Sequence, residues 1–146
     1  PIFTFGPSQG GSQARQIEIV YRTGNTVRYS YDPGTGLYLR SMNGEPHTEA
    51  TDGTQIGTSN VVLIEATHEE TDIIEDSLGN RSLRIHLLGR GTATVFRDGL
   101  RFSGDWVRSQ ESDFFSLLAT DGSPIPLATG STWIQIVPPS VPVQVS

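Results

Sequence analysis

The chain has 146 residues, no Cys and no Lys, with ten Arg set against sixteen acidic residues for a net charge of −6. That length suits one domain that buries about two thirds of its unfolded surface. Disulfide frameworks, thiolate zinc sites and Cys nucleophiles are excluded, and the acidic balance argues against a nucleic-acid partner, whose phosphates need clustered cations.

Sixteen Gly and nine Pro favour short strands joined by turns. No apolar run is long enough for a membrane helix, and PIFTFGPSQGGSQAR lacks the apolar core of a signal peptide. The chain begins at Pro1 and not at Met, so it is expected to be a piece of a longer protein. Residues 1–15, rich in Gly, Ser and Gln, read as a flexible lead-in, 16–138 as the β domain and 139–146 as a Pro-rich tail.

QIEIVYRT and TVRYSYD each alternate apolar and polar residues, with Ile17, Ile19 and Tyr21 in one and Val27, Tyr29 and Tyr31 in the other. Gly24-Asn25 supplies the positive φ angles of a hairpin turn between them. After a turn at Pro33–Gly36, LYLRSM predicts a strand with Leu37 and Leu39 on one face and Tyr38 and Arg40 on the other, Arg40 pointing outward. Asn43-Gly44 turns the chain again. VVLIEA, from Val61 to Ala66, has no polar alternation and predicts a strand buried on both faces.

The stretch Thr67–Asn80 carries Glu69, Glu70, Asp72, Glu75 and Asp76 and reads as an exposed loop. RSLRIHLL then predicts a strand, and TATVFRDGLRFSG a hairpin around Asp98-Gly99. Two more strands are expected in FFSLLATDGSPIPLATGSTWIQIVP, before an extended tail whose Pro139 and Pro142 have no N–H for a ladder. The pattern implies an all-β, mainly antiparallel sandwich or partly open barrel of about eight or nine short strands, with little helix.

YSYDPGTGLYLR, GEPHTEATDGTQIGTSNVVLIEA, FRDGLRFSGDWVR and TDGSPIPLATGSTWIQIVP, in this order, resemble the C-terminal domain of the YerB-like bacterial lipoproteins, a family of unknown function. The resemblance covers about Ile17 to Pro138. It implies an N-terminal domain ahead of this segment and a lipid anchor that holds the intact protein outside the cytoplasmic membrane. Carried over by position, the family pattern points to Tyr38, Arg40, His47, Asn60, Gly104, Trp106, Gly122, Gly130, Thr132 and Trp133. Two residues after the His the pattern has Asp, where this chain has Glu49 with its longer reach.

The polar residues between Tyr29 and Val62 form the main candidate site. His47 and Glu49, two apart on an extended segment, share a face, so the carboxylate could orient the imidazole as a general base. Arg40 could hold a carboxylate or phosphate with its two-pronged guanidinium, and Asn60 could reach the same ligand. The alternative is a hydrogen-bond network that fixes turns and strand starts. Tyr38 and Trp106 could form an exposed platform for a cell-wall glycan, or pack into the core as Trp133 is expected to.

A calcium site among the acidic residues lacks the alternation and central Gly of an EF-hand loop. Gly89–Gly91 reads as a turn or bulge rather than a phosphate cradle. No GxSxG elbow occurs, and His68 and His86 have no ligand spacing. The expected reading is a non-catalytic binding or assembly module at the cell envelope, without cofactor or metal. Its partners would be the N-terminal domain, another envelope protein or a cell-wall polymer. A hydrolase or transferase site on Arg40, His47, Glu49 and Asn60 is the first alternative, and glycan binding the second.

Overall fold

A computed structural model describes residues 3–21, 24–74, 81–85 and 87–146, and within 68–74 and 81–85 its backbone alone. In chain order the strands are β1 (Ser12–Gln13), β2 (Gln16–Val20), β3 (Thr26–Asp32), β4 (Leu37–Met42), β5 (Glu45–Pro46), β6 (Gly57–Thr58) and β7 (Asn60–Glu65). They continue with β8 (His68–Ile74), β9 (Arg81–Ile85), β10 (Gly89–Arg97), β11 (Leu100–Arg108), β12 (Ser116–Ala119), β13 (Thr132–Val137) and β14 (Val143–Val145). Nine of these have five residues or more, as the spacing of turn signals implies.

Two six-stranded sheets form a sandwich, and among the described residues no barrel closes. One sheet runs β1-β11-β10-β7-β13 with β12 beside β11, and the other runs β14-β2-β3-β4-β5 with β6 beside β4. The turns follow their sequence signals: Asn43 and Asp98 adopt φ of 52° and 54°, each followed by a Gly at positive φ, which closes the tight hairpins β4–β5 and β10–β11. Among the described strands all pairings but one are antiparallel. The exception joins β13 to β7 in parallel, Trp133 beside Val61 and Gln135 beside Leu63.

β7 is buried on both faces, as its unbroken apolar run implies. Val61 and Leu63 meet Ile17, Ile19, Val27, Tyr29, Tyr38 and Phe96 between the sheets. Val62 and Ile64 face the other way, into a second core with Val95, Trp106, Phe115, Leu117, Ile125 and Leu127. Each such side chain taken fully out of water contributes about 1.5–3 kcal/mol, so this one strand anchors both cores.

Four expectations need correction. On β4 the inward face carries Tyr38 and Arg40, while Leu37 and Leu39 are half-buried, with Gly57 packed against them. His68–Ile74 is a strand paired with β9, not a loop, and its backbone register sets Glu69 opposite Arg84. Part of the expected lead-in belongs to the fold: Ser12 and Gln13 pair with β11, and Ala14 lies wholly in the core. Within the expected tail, Val143–Val145 pairs with β2, and Val141 is buried. Residues 75–80 and His86 lie outside the described residues.

Candidate functional site

Tyr29 and Arg40 are direct cross-strand partners on β3 and β4, and both face the opposite sheet. There they meet β13, whose alternation turns Trp133, Gln135 and Val137 toward the inter-sheet core and Ile134 and Ile136 toward the second core. Arg40 is only 6% exposed. Its Nε donates to the Tyr29 hydroxyl at 3.1 Å, its Nη1 to His47 Nδ1 at 2.5 Å and its Nη2 to Gln135 Oε1 at 3.4 Å. The guanidinium carbon sits 4.4 Å from the centre of the Trp133 ring and 5.7 Å from that of Tyr29.

A buried cation needs compensation, and among the described residues no carboxylate lies within 4 Å of Arg40. Lone pairs and ring faces supply it. From Arg40 the hydrogen bonds run on: the Tyr29 hydroxyl donates to Gln135 Oε1 at 2.6 Å, Gln135 Nε2 to the Tyr21 hydroxyl at 2.6 Å, and that hydroxyl to the Ile136 carbonyl at 3.2 Å. The Trp133 indole N–H also donates to Gln135 Oε1, at 3.3 Å. A reversed Gln135 amide would point N–H groups at three donors, so this orientation is fixed. Burial pushes the Tyr29 hydroxyl up to about 12, against the smaller lowering effect of its bond from Arg40.

His47 stands half-buried, edge-on to Trp133 with ring centres 5.9 Å apart. A guanidinium has no lone pair to offer, so His47 Nδ1 must accept, and the proton of the neutral ring lies on Nε2. The lone pair a general base would use is therefore aimed at Arg40. The main chain holds this arrangement: His47 N–H donates to the Arg40 carbonyl at 2.9 Å, Arg40 N–H to the Ile56 carbonyl at 2.9 Å, and Gln55 Nε2 to the Arg40 carbonyl at 2.8 Å.

The other candidates do not join this cluster. Glu49 is exposed, its main chain closes a turn with Gly53 and Thr54, and among the described residues no hydrogen bond or ion pair joins its carboxylate to His47. Asn60, wholly buried, donates from Nδ2 to the carbonyls of Ala128 and Ser131 and to Thr132 Oγ1, and its Oδ1 accepts from Ala128 N–H. Its amide ties the start of β7 to the approach of β13.

The exposed aromatic platform is overturned. Tyr38 is 0% and Trp106 2% exposed, the former donating to the Ala14 carbonyl at 3.2 Å and the latter to the Glu65 carbonyl at 2.8 Å. Gly91 lies against the indole, and a Cβ there would come 2.5 Å from Nε1, which gives the Gly89–Gly91 motif a packing role at the start of β10. Of the acidic residues weighed for calcium, Glu69, Glu70 and Asp72 lie where the backbone alone is described, and Glu75 and Asp76 lie outside the described residues.

With the geometry in place, comparison with known families matches residues 17–134 to the one described as the C-terminal domain of a protein of unknown function (DUF3048). The chain belongs to this family. A relative in Bacillus subtilis (strain 168), named "Putative lipoprotein YerB", is 27% identical over 140 residues, covering 94% of this chain and 40% of that protein. The crystal structure of the YerB protein from Bacillus subtilis matches this fold with a TM-score of 0.73 at 26% identity, over 97% of this chain and 46% of that one. The chain thus spans less than half the length of the relatives it matches.

The sequence reading of this DUF3048 domain missed Gln135, Tyr29 and Tyr21 as members of the cluster. Gln135 carried a signal: it is the one polar residue between Trp133 and Val137, and a polar side chain on a core-facing strand must find a partner. Arg97 was also missed. Only 6% exposed, it pairs with Asp98 at 2.9 Å and donates to the carbonyls of Gly6 at 2.5 Å and Pro126 at 3.2 Å, which binds the N-terminal segment to the second core.

Proposed function

We propose that this domain is a non-catalytic binding or assembly module of a lipoprotein held outside the cytoplasmic membrane by a lipid anchor elsewhere in the polypeptide. One observation carries the reading: the His47 Nδ1 lone pair accepts from Arg40, so the ring offers no unprotonated nitrogen with which to begin general-base chemistry. Consistent with this, Asn60 is committed to main-chain groups, and Glu49 stands apart from both. The extracytoplasmic setting draws on the lipoprotein name of the Bacillus subtilis relative. The partners would be the rest of the same polypeptide, another envelope protein or a cell-wall polymer.

The test incubates the purified domain with envelope fractions and follows both retention and release of soluble products. Saturable retention without turnover is expected. Turnover of an envelope component that His47→Ala abolishes would overturn the reading. Labelling of the full-length protein with a radioactive fatty acid tests the anchor.

A further inference from the structure

Among the described residues β13 has a strand partner on one side alone, β7 in parallel. The Ser131 and Val137 carbonyls accept from Asn60 and Ala66 on the β7 side. Because main-chain groups alternate along a strand, those of Thr132, Ile134 and Ile136 point the other way. The Ile136 carbonyl receives the Tyr21 hydroxyl, and among the described residues the remaining outward groups of these three residues have no partner. All residues from Thr132 to Ile136 are half-buried. An uncovered edge is usually guarded by a charge, a proline or a bulge, and TWIQIV has none of these.

We propose that this edge is an interface for a second copy of the chain, which adds its own β13 antiparallel across a two-fold axis. The occupant follows from charge. The protein carries a net charge of −6, yet no charged residue occurs from Gly122 to Ser146, so this is a surface where two copies meet without facing like charges along the strand. A two-fold axis through Ile134 sets each outward residue opposite another outward residue. With Ile134 on the axis it faces Ile134 of the second copy, and each hydrogen-bonded pair exchanges two main-chain bonds. Thr132 then pairs with Ile136 of the second copy, whose carbonyl accepts the Thr132 N–H on its second lone pair beside the Tyr21 hydroxyl. On one face the two Ile134 side chains join the second cores, and on the other Trp133 comes beside Gln135 of the second copy. The proposal goes beyond the binding module above and does not depend on it.

The experiment combines sedimentation with hydrogen exchange over a range of protein concentrations. The expected mass rises from the 15.9 kDa of one chain toward twice that value. Over the same range the Thr132, Ile134 and Ile136 amides should slow about tenfold or more, while Trp133, Gln135 and Val137, already bonded to β7, hold their rates. Ile134→Pro removes an outward N–H and leaves the β7 ladder intact, so it should return the protein to monomer. Where that variant does not fold, the alternating exchange pattern in the natural protein decides alone. A monomer at every concentration with unchanged amides overturns the proposal. So does a dimer in which these amides stay fast, or their protection only when an envelope extract is added, since the occupant is then another polypeptide.

Discussion

The guanidinium of Arg40 lies 4.4 Å from the ring centre of Trp133, and the two residues come from different sheets of the sandwich. A cation is thus held between layers by a ring face and by neutral acceptors. Such a contact contributes about 2 kcal/mol when desolvated. Arg40→Met should lower the unfolding free energy by about 2–4 kcal/mol, because it strips the donor from Tyr29, His47 and Gln135 at once. A double-mutant cycle with Trp133→Leu, read by urea denaturation, should return a coupling of about 1–2 kcal/mol. Strict additivity would mean that the stacking contributes nothing.

The bond from Arg40 also fixes a tautomer. Nitrogen-15 NMR of the neutral ring should find His47 protonated at Nε2 in the natural protein, and Arg40→Met should lift that bias. Glu49→Gln should leave the His47 signals unchanged, because the carboxylate does not reach the ring. A shift on that substitution would restore the pairing of His47 with Glu49.

Alkaline stability follows from Tyr29. Its hydroxyl, pushed up from an ordinary 10 to about 12 by burial, binds its proton more tightly in the folded chain than in the unfolded one. The associated stability is therefore complete below pH 10 and is lost as pH rises through about 12. Tyr38 and Tyr21 shift in the same direction, also chiefly through burial. Tyr29→Phe should flatten part of that alkaline loss in urea unfolding measured across this range, and an unchanged profile would contradict the assignment.

Asn60→Ala removes three donated bonds and one accepted bond from a wholly buried position. The expected loss is about 2–4 kcal/mol, seen as a lower urea midpoint. If the residue serves only this structural tie, the retention of envelope material by the folded fraction should stay as it was. Loss of retention without loss of stability would return Asn60 to the ligand site.

A Cβ at Gly104 would lie 2.1 Å from the Leu118 carbonyl oxygen, and one at Gly91 2.5 Å from the Trp106 indole nitrogen. Main chain gives way less readily than a side chain. Gly104→Ala should therefore destabilise more than Gly91→Ala, which should show instead as a red shift of Trp106 fluorescence. The reverse ranking would argue against the close β11–β12 approach.

How much of this the residues announced depends on whether the cause was local. Asn43-Gly44 and Asp98-Gly99 turned as expected, because positive φ at two successive positions is a property of those residues themselves. The burial of β7 was equally legible from its unbroken apolar run. The inward face of β4 was not, since LYLRSM alternates two mixed rows. The choice fell to partners far away in sequence, Ala14 for the Tyr38 hydroxyl and Trp133 for Arg40. Glu49 failed for a related reason: spacing along the chain says nothing of partners, and Arg40, not Glu49, reaches the His47 ring. In β8 the acidic composition concealed a strand whose register partner is Arg-bearing β9.

The parallel pairing of β7 and β13 also bears on the order of assembly. The hairpins β2–β3–β4 and β10–β11 close over short loops, but β7 must wait for a neighbour that emerges from the ribosome roughly seventy residues later. Until then Val61 to Ile64 has no complete shelter on either face. The docking of β13, like that of β14 on β2 still farther along the chain, therefore belongs among the late steps of folding, and until it happens the apolar run of β7 lacks one of its two neighbours.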